Sequence, residues 1–186
     1  NSTGYNLTQL MIGSEGTLAV ITKIVFKLIP LPTKDITMLV PFNSAEKACE
    51  AVSAVFRAGI TPSALEFIER EAIDFTLKHS DVEMSIPDAV QAHLLVEVDG
   101  NDIDLLYKDC ELIAEVMQNH DSGEILLADS ESQKNQLWKL RRSISEAVKA
   151  NSVYKEEDTV VPRADLAKLL IGVKEIGAKY GFKSVC

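Results

Sequence analysis

Cysteine is scarce in this chain: Cys49, Cys110 and Cys186 are the only three in 186 residues. An odd, widely spaced trio excludes a disulfide framework and shows no metal-ligand spacing. Cys49 and Cys110 fall on apolar helical faces and are expected to be buried as small hydrophobes. Reduced thiols fit a cytoplasmic protein, one that reaches a membrane only through a partner. Basic residues are also short, 19 Lys and Arg against 28 Asp and Glu, a formal net charge of -9. That excludes a nucleic-acid partner that needs a basic patch. No run is long and apolar enough to span a bilayer. There is no signal-peptide pattern, and the first residue is Asn1 rather than Met, so a piece of a larger protein is expected. Only three histidines occur, His79, His93 and His120. None has the neighbours that a metal ligand needs, and a metal role is not expected for them.

What is present is a chain of ordinary hydrophobic content, 46%, with alternating β-like and helix-like periods. Residues 18–29 are rich in Val, Ile and Phe and read as a strand. Pro30-Leu31-Pro32 stops it and marks a boundary. Strands are then expected at 36–42, 63–68, 93–99 and 124–128. Helices are expected from Asn43 or Ser44 to Gly59, over 69–78, and from Asp102 to about Met117. The stretch 81–88 reads as a loop. The order strand, helix, strand, strand, helix, strand is the split βαβ arrangement, with a helical insertion before its third strand. The expected fold is α+β: a ferredoxin-like antiparallel sheet with helices packed on one face. The other face needs cover, and a ligand is one way to provide it.

Two local patterns carry chemistry. The first is Gly13-Ser14-Glu15-Gly16-Thr17, where two glycines flank a Ser-Glu pair. Glycine permits positive φ and close approach of another group. The readings are a tight turn before a strand, or a turn whose N–H and hydroxyl groups bind an anionic or carbonyl-rich ligand. An ATP-type phosphate loop is excluded, because the lysine it requires is missing.

The second pattern is the helix expected from Asp129 or Ser130 to Val148. Its apolar stripe is Leu137, Leu140, Ile144, Ala147 and Val148. With Leu137 as origin, Arg141 falls at about 40° and Arg142 at about 140°. Arg141 therefore lies beside the buried stripe, and Arg142 points to solvent. Ser145 sits one turn beyond Arg141 on the same edge. A guanidinium in that position needs a partner. An internal carboxylate and a substrate carboxylate are equally consistent with the wheel, since guanidinium grips either with paired hydrogen bonds. Trp138 reads as packing. Pro162 suits the first turn of a last helix, which Gly181 ends, and 182–186 reads as the start of a strand.

The phrase "TGYNLTQLMIGSEGTLAVITKIVFKLIPLP" resembles the end of the flavin domain of the FAD-linked 2-hydroxyacid oxidases and dehydrogenases. That group includes glycolate oxidase flavin subunits, D-lactate dehydrogenases and D-2-hydroxyglutarate dehydrogenases, within the vanillyl-alcohol-oxidase-type superfamily. "LWKLRRSISEA" is similar to the family's Leu-Trp-x-Leu-Arg segment, and Lys155 to Pro162 to its Lys-x-x-Asp-x-x-Val-Pro stretch. Ala19 stands where many members carry Gly, and Ser145 where D-2-hydroxyglutarate dehydrogenases carry Thr.

The resemblance implies that residues 1–32 close a FAD-binding domain and residues 33–186 form most of a substrate-binding cap. It implies flavin contacts at Gly13, Ser14, Glu15, Gly16, Thr17 and Ile21, and a carboxylate site at Arg141, Ser145 and Lys155. In the whole enzyme, hydride would pass from a small 2-hydroxy acid to flavin N5, and electrons onward to a quinone, an electron-transfer protein or oxygen. A His-rich segment, implicated in divalent-metal binding and proton handling, would follow Cys186. The isolated chain is expected to have no turnover and to bind FAD weakly or not at all. The competing expectation is a stand-alone ferredoxin-like binding or regulatory module without redox chemistry; a third is a flavoprotein of the same superfamily acting on phospho- or ether-lipid precursors. The sequence leaves the oligomeric state open.

Overall fold

The computed structural model describes residues 4–81 and 84–186. Thr3, at the head of the flavin-like phrase, and residues 82–83 of the expected loop lie outside them. The chain divides into two compact units, 1–31 and 32–186.

The first unit holds one short helix, α1 (Leu7–Met11), capped by the Asn6 side chain, which accepts from the Gln9 N–H. The glycine turn follows. Beyond it, residues 18–31 form neither helix nor strand. The strand expected over 18–29 is therefore not formed, and Val20, Val25 and Phe26 are exposed. A strand is held by the ladder of a neighbouring strand. No such neighbour is paired with this run among the described residues.

The second unit is a ferredoxin-like α+β domain. Its sheet comprises β1 (Lys34–Phe42), β2 (Ala64–Glu69), β3 (Ala92–Gly100) and β4 (Leu126–Leu127), in the order β2-β3-β1-β4. Every pairing is antiparallel. Helices α2 (Ala45–Arg57) and α4 (Ile103–Gln118) are the crossovers, and α3 (Arg70–His79) is the insertion before β3. Two further helices, α5 (Glu131–Asn151) and α6 (Leu166–Tyr180), follow the sheet. Ser44 caps α2, Asp102 caps α4 and Ser130 caps α5, each by accepting backbone N–H bonds at the helix start. Gly181 ends α6 in the left-handed conformation.

The two-residue period of the strands sorts side chains onto two faces. Ile36, Met38, Val40 and Phe42 join Leu94 and Val96 against Ala51 and Val55 of α2 and Ile113 and Met117 of α4. Leu39, Leu95 and Ile68 point the opposite way and pack with Ile73 of α3 and with Leu137 and Leu140 of α5. Thus α3 and α5 cover part of the face that the sequence left open. This explains the unbroken buried run from Ile36 to Val40, whose two sides meet two cores. Each fully buried Leu, Ile or Phe contributes about 1.5–3 kcal/mol of transfer free energy.

Two expected strands shrink. The fourth spans only two residues, and 182–186 joins no sheet. The latter segment is instead held by the buried Glu69: the Glu69 N–H donates to the Cys186 carbonyl, and the Cys186 N–H donates to Glu69 Oε1. Lys174 donates to the same Oε1 at 2.7 Å.

Candidate carboxylate-binding site

The site lies on the second face of the sheet, where the apolar patch gives way to polar groups. Strand register puts Thr37, Glu97 and Ala64 in one row across the sheet, and Leu39, Leu95 and Glu66 in the next. Helix α5 crosses this face. Beside its buried stripe, Lys134, Trp138, Arg141 and Ser145 repeat at intervals of four, three and four, which keeps them on one edge.

Three of these four meet a carboxylate of the sheet. Lys134 Nζ is hydrogen-bonded to Asp35 and lies 3.9 Å from Glu97. Trp138 Nε1 donates to Glu97 Oε2 at 3.0 Å. Arg141 donates from Nε to Glu66 Oε2 at 3.0 Å, and its Nη2 lies 3.0 Å from the same oxygen. Glu97 also accepts from Thr37 Oγ1 at 3.1 Å and from Ser63 Oγ at 3.3 Å. Partial desolvation pulls the Lys134 pKa down, but Asp35 and Glu97 outweigh it and hold the ammonium above the usual lysine range.

The partner of Arg141 in this structure is thus internal. Its side chain is 44% exposed, and that of Glu66 is 32% exposed. Pairs that exposed are worth about 0–1 kcal/mol, so this one orients more than it stabilises. One edge of the guanidinium, Nε with Nη2, is engaged. Nη1 has no hydrogen-bond partner among the described residues. The end-on fork of Nη1 and Nη2 remains available to a second carboxylate.

Ser145, half-buried, donates to Glu156 at 3.3 Å, and Lys149 pairs with Glu156 at 3.2 Å. These contacts tie the segment 153–162, which is neither helix nor strand, to the outer half of α5. Lys155 lies on that segment with its side chain 84% exposed and pairs with Glu157 at 2.5 Å. The hydrogen bond it donates to Glu157 raises its pKa. So the structure brings Ser145 and the Lys155 segment together, gives Arg141 to Glu66, and leaves Lys155 without a contact to Arg141.

In the first unit, Gly13 and Gly16 adopt φ of 77° and 75°, and Glu15 φ of 50°. The glycines are needed for that backbone rather than for space, since a Cβ at either would meet nothing within 4 Å. The Ser14 carbonyl accepts from both the N–H and the hydroxyl of Thr17, at 2.9 and 2.6 Å. The N–H groups of Glu15 and Gly16 have no partner among the described residues. Such unpaired successive donors fit an anionic or carbonyl-rich group. Ile21 lies beyond the turn and is exposed.

The expected thiol burial holds: Cys49 and Cys110 are both buried, and desolvation pushes their pKa values to about 12 and about 11. Among the described residues no group of three or more His, Cys, Asp or Glu is placed to hold a metal ion, and no helix is long and apolar enough to cross a membrane. A cleft of about 170 Å³ between α2 and the turn at Arg163–Asp165 is lined by Cys49, Ser53, Arg57, His120 and Arg163, and contains none of the expected site residues.

The profile of the FAD linked oxidases, C-terminal domain, matches residues 31–186. The chain belongs to that family. A D-lactate dehydrogenase of Anaerostipes hadrus is 34% identical over 98% of this chain and 39% of its own length. The glycolate oxidase subunit GlcD of Bacillus subtilis is 31% identical over 98% of this chain and 38% of its own length. A D-lactate dehydrogenase of Archaeoglobus fulgidus is 33% identical over the whole of this chain and 40% of its own length. The chain therefore spans about two fifths of the length of the curated relatives it matches.

Arg141, Ser145 and Lys155 were the residues singled out from the sequence; Lys134, Asp35, Glu66 and Glu97, which the structure places around Arg141 and Trp138, were not. The signals were present. Lys134 is seven residues before Arg141, on the same edge of the wheel. Glu66 and Glu97 stand two residues from Ile68 and Leu95, on the face that those apolar residues bury.

Proposed function

We propose that this chain belongs to a whole protein that oxidises a small 2-hydroxy acid to the 2-oxo acid with FAD, residues 1–32 ending its flavin domain and residues 33–186 forming most of its substrate-binding cap. The observation that carries this reading is the Arg141 guanidinium. It is held on its Nε/Nη2 edge and has no partner at Nη1 among the described residues, and Ser145 follows it one helical turn on.

In this reading the free fork of Arg141 grips the substrate carboxylate through two hydrogen bonds. Lys155 adds a second positive charge from the segment that Glu156 ties to α5. Ser145 contributes a hydroxyl that can turn from Glu156 to the substrate. Fixing the carboxylate places the α-carbon, and a hydroxyl contact from Ser145 would limit rotation about its bond to the carboxylate, which together orient the hydrogen for hydride transfer. FAD, when bound, supplies the hydride acceptor. The N–H groups of Glu15 and Gly16, with Ser14 and Thr17 around them, are the donors offered to it by the first unit. The names of the relatives support D-lactate and glycolate as the acids to try first.

The test is to purify the whole protein, record its flavin content, and add D-lactate or glycolate anaerobically. Bound flavin that bleaches with either acid supports the reading. A protein that purifies without flavin and stays colourless after FAD is supplied returns the chain to a ferredoxin-like binding module. The isolated 186-residue chain is expected to lose any flavin on gel filtration.

A further inference from the structure

Glu66 is half-buried on β2, the edge strand, and points to the face crossed by α5. Its Oε2 accepts from Nε of Arg141 at 3.0 Å and lies 3.0 Å from Nη2. A guanidinium has five N–H donors in a rigid plane, so holding one edge fixes the direction of the other. The remaining fork, Nη1 with the second N–H of Nη2, then points away from Glu66 along that plane. Arginine otherwise carries rotamer freedom that a ligand would have to freeze on binding.

The carboxylates of the sheet make this holding collective. Asp35 takes Lys134, Glu97 takes Trp138, and Glu66 takes Arg141. Three contacts in two turns of helix set both the rotation of α5 about its axis and its position along the strands. The pair at Arg141 is the outermost, on the edge strand, and is the one beside Ser145. Nothing about the hydrophobic packing requires a carboxylate at position 66: its cross-strand neighbour is Leu95, and an apolar residue there would extend the patch of Leu39, Leu95 and Ile68.

We propose that Glu66 is a positioning residue for the carboxylate site: it holds the guanidinium of Arg141 by its Nε/Nη2 edge so that the adjacent Nη1/Nη2 fork meets the substrate. The inference rests on the carboxylate-gripping reading of Arg141. It has a consequence that a merely structural ion pair would lack. Glu66→Gln keeps one acceptor for Nε and stays close to native geometry, whereas Glu66→Ala frees the arginine. Both variants raise the net positive charge of the site, so simple electrostatics predicts tighter substrate binding. Positioning predicts the reverse order.

The experiment uses the whole flavin-loaded protein and steady-state kinetics with whichever of D-lactate and glycolate bleaches the flavin. Glu66→Ala is expected to raise KM about tenfold or more with kcat changed less, at unchanged flavin content and melting temperature. Glu66→Gln is expected to recover most of that loss. A KM for Glu66→Ala equal to or below the wild-type value overturns the proposal. So does a loss that Glu66→Gln fails to recover while both proteins remain folded and yellow. Arg141→Ala is run beside them. If it leaves turnover unchanged, the carboxylate-gripping reading itself fails. If it abolishes turnover while Glu66→Ala behaves as wild type, that reading stands and only the positioning role falls.

Discussion

His93 offers a quantitative test of how the sheet is buried. It is the second residue of β3, 4% exposed, with Pro41 and Ile68 opposite it on the neighbouring strands. Its Nδ1 is buried without a hydrogen-bond partner among the described residues. Burial, and then the nearby charge of Arg70, push its pKa from the usual 6.5 down to about 4. The folded state therefore favours the neutral ring, while the unfolded chain takes up a proton below about pH 6.5. The resulting stability is fully present above that pH and is lost as the pH falls toward about 4. The loss amounts to about 3 kcal/mol at the acid end. Urea denaturation of the chain at a series of pH values between 7 and 4 measures it. Carboxylates also titrate near the acid end, so the informative quantity is the difference between wild type and His93→Leu. That variant removes the proton site and the unpaired nitrogen while keeping a buried side chain. It should be about as stable as wild type at pH 7, and more stable than wild type by an increasing margin as the pH falls. Parallel curves for the two proteins would show that His93 is not buried as a neutral ring.

Two further outcomes are expected. Replacing Glu97 by Ala leaves Thr37 Oγ1 and Trp138 Nε1 without their shared acceptor, and should cost about 1–3 kcal/mol and shift the emission of Trp138, the one tryptophan, to longer wavelength. An unchanged urea midpoint with unchanged emission would show that Glu97 does not anchor α5. At pH 8 a thiol reagent should modify the exposed Cys186 in the native chain, slowly because desolvation and Glu69 raise its pKa too, and reach the buried Cys49 and Cys110 only after unfolding. Rapid native reaction at all three would contradict the packing of α2 and α4.

The sheet and its crossover helices were legible because their signals are local. Ser44, Asp102 and Ser130 cap the helices they were expected to cap or flank, and Gly181 ends the last one. Strand alternation in β1 and β3 was weaker, since both of their faces are buried. Residues 18–29 show the limit of composition. They have the β-rich content of a strand, but pairing requires a second chain segment, and none among the described residues supplies it. Position 182–186 fails differently: Glu69 on a distant strand holds Cys186, Lys174 of α6 donates to the Ser184 carbonyl, and the Phe182 N–H donates to the Gly177 carbonyl, so the segment is tied down without joining the sheet.

At the candidate site the wheel placed Arg141 beside the apolar stripe and correctly required a partner for it. It had no means of choosing that partner. Glu66 lies 75 residues earlier, and only the register of β2 against β3, with α5 laid across them, brings the two together. Lys155 is the reverse case. Its residue type suits a carboxylate site, yet its own neighbour Glu157 holds it in the isolated chain.

The most direct test of the central claim asks whether Arg141 reads a negative charge on the substrate. In the whole flavin-loaded protein, anaerobic flavin reduction by D-lactate is compared with reduction by its uncharged amide, for wild type and for Arg141→Ala. Two charge-assisted hydrogen bonds are worth about 3 kcal/mol, so wild type should favour the acid by about 100-fold. In Arg141→Ala, with flavin still bound, that preference should nearly vanish. A variant that still favours the acid by the wild-type ratio would contradict the account.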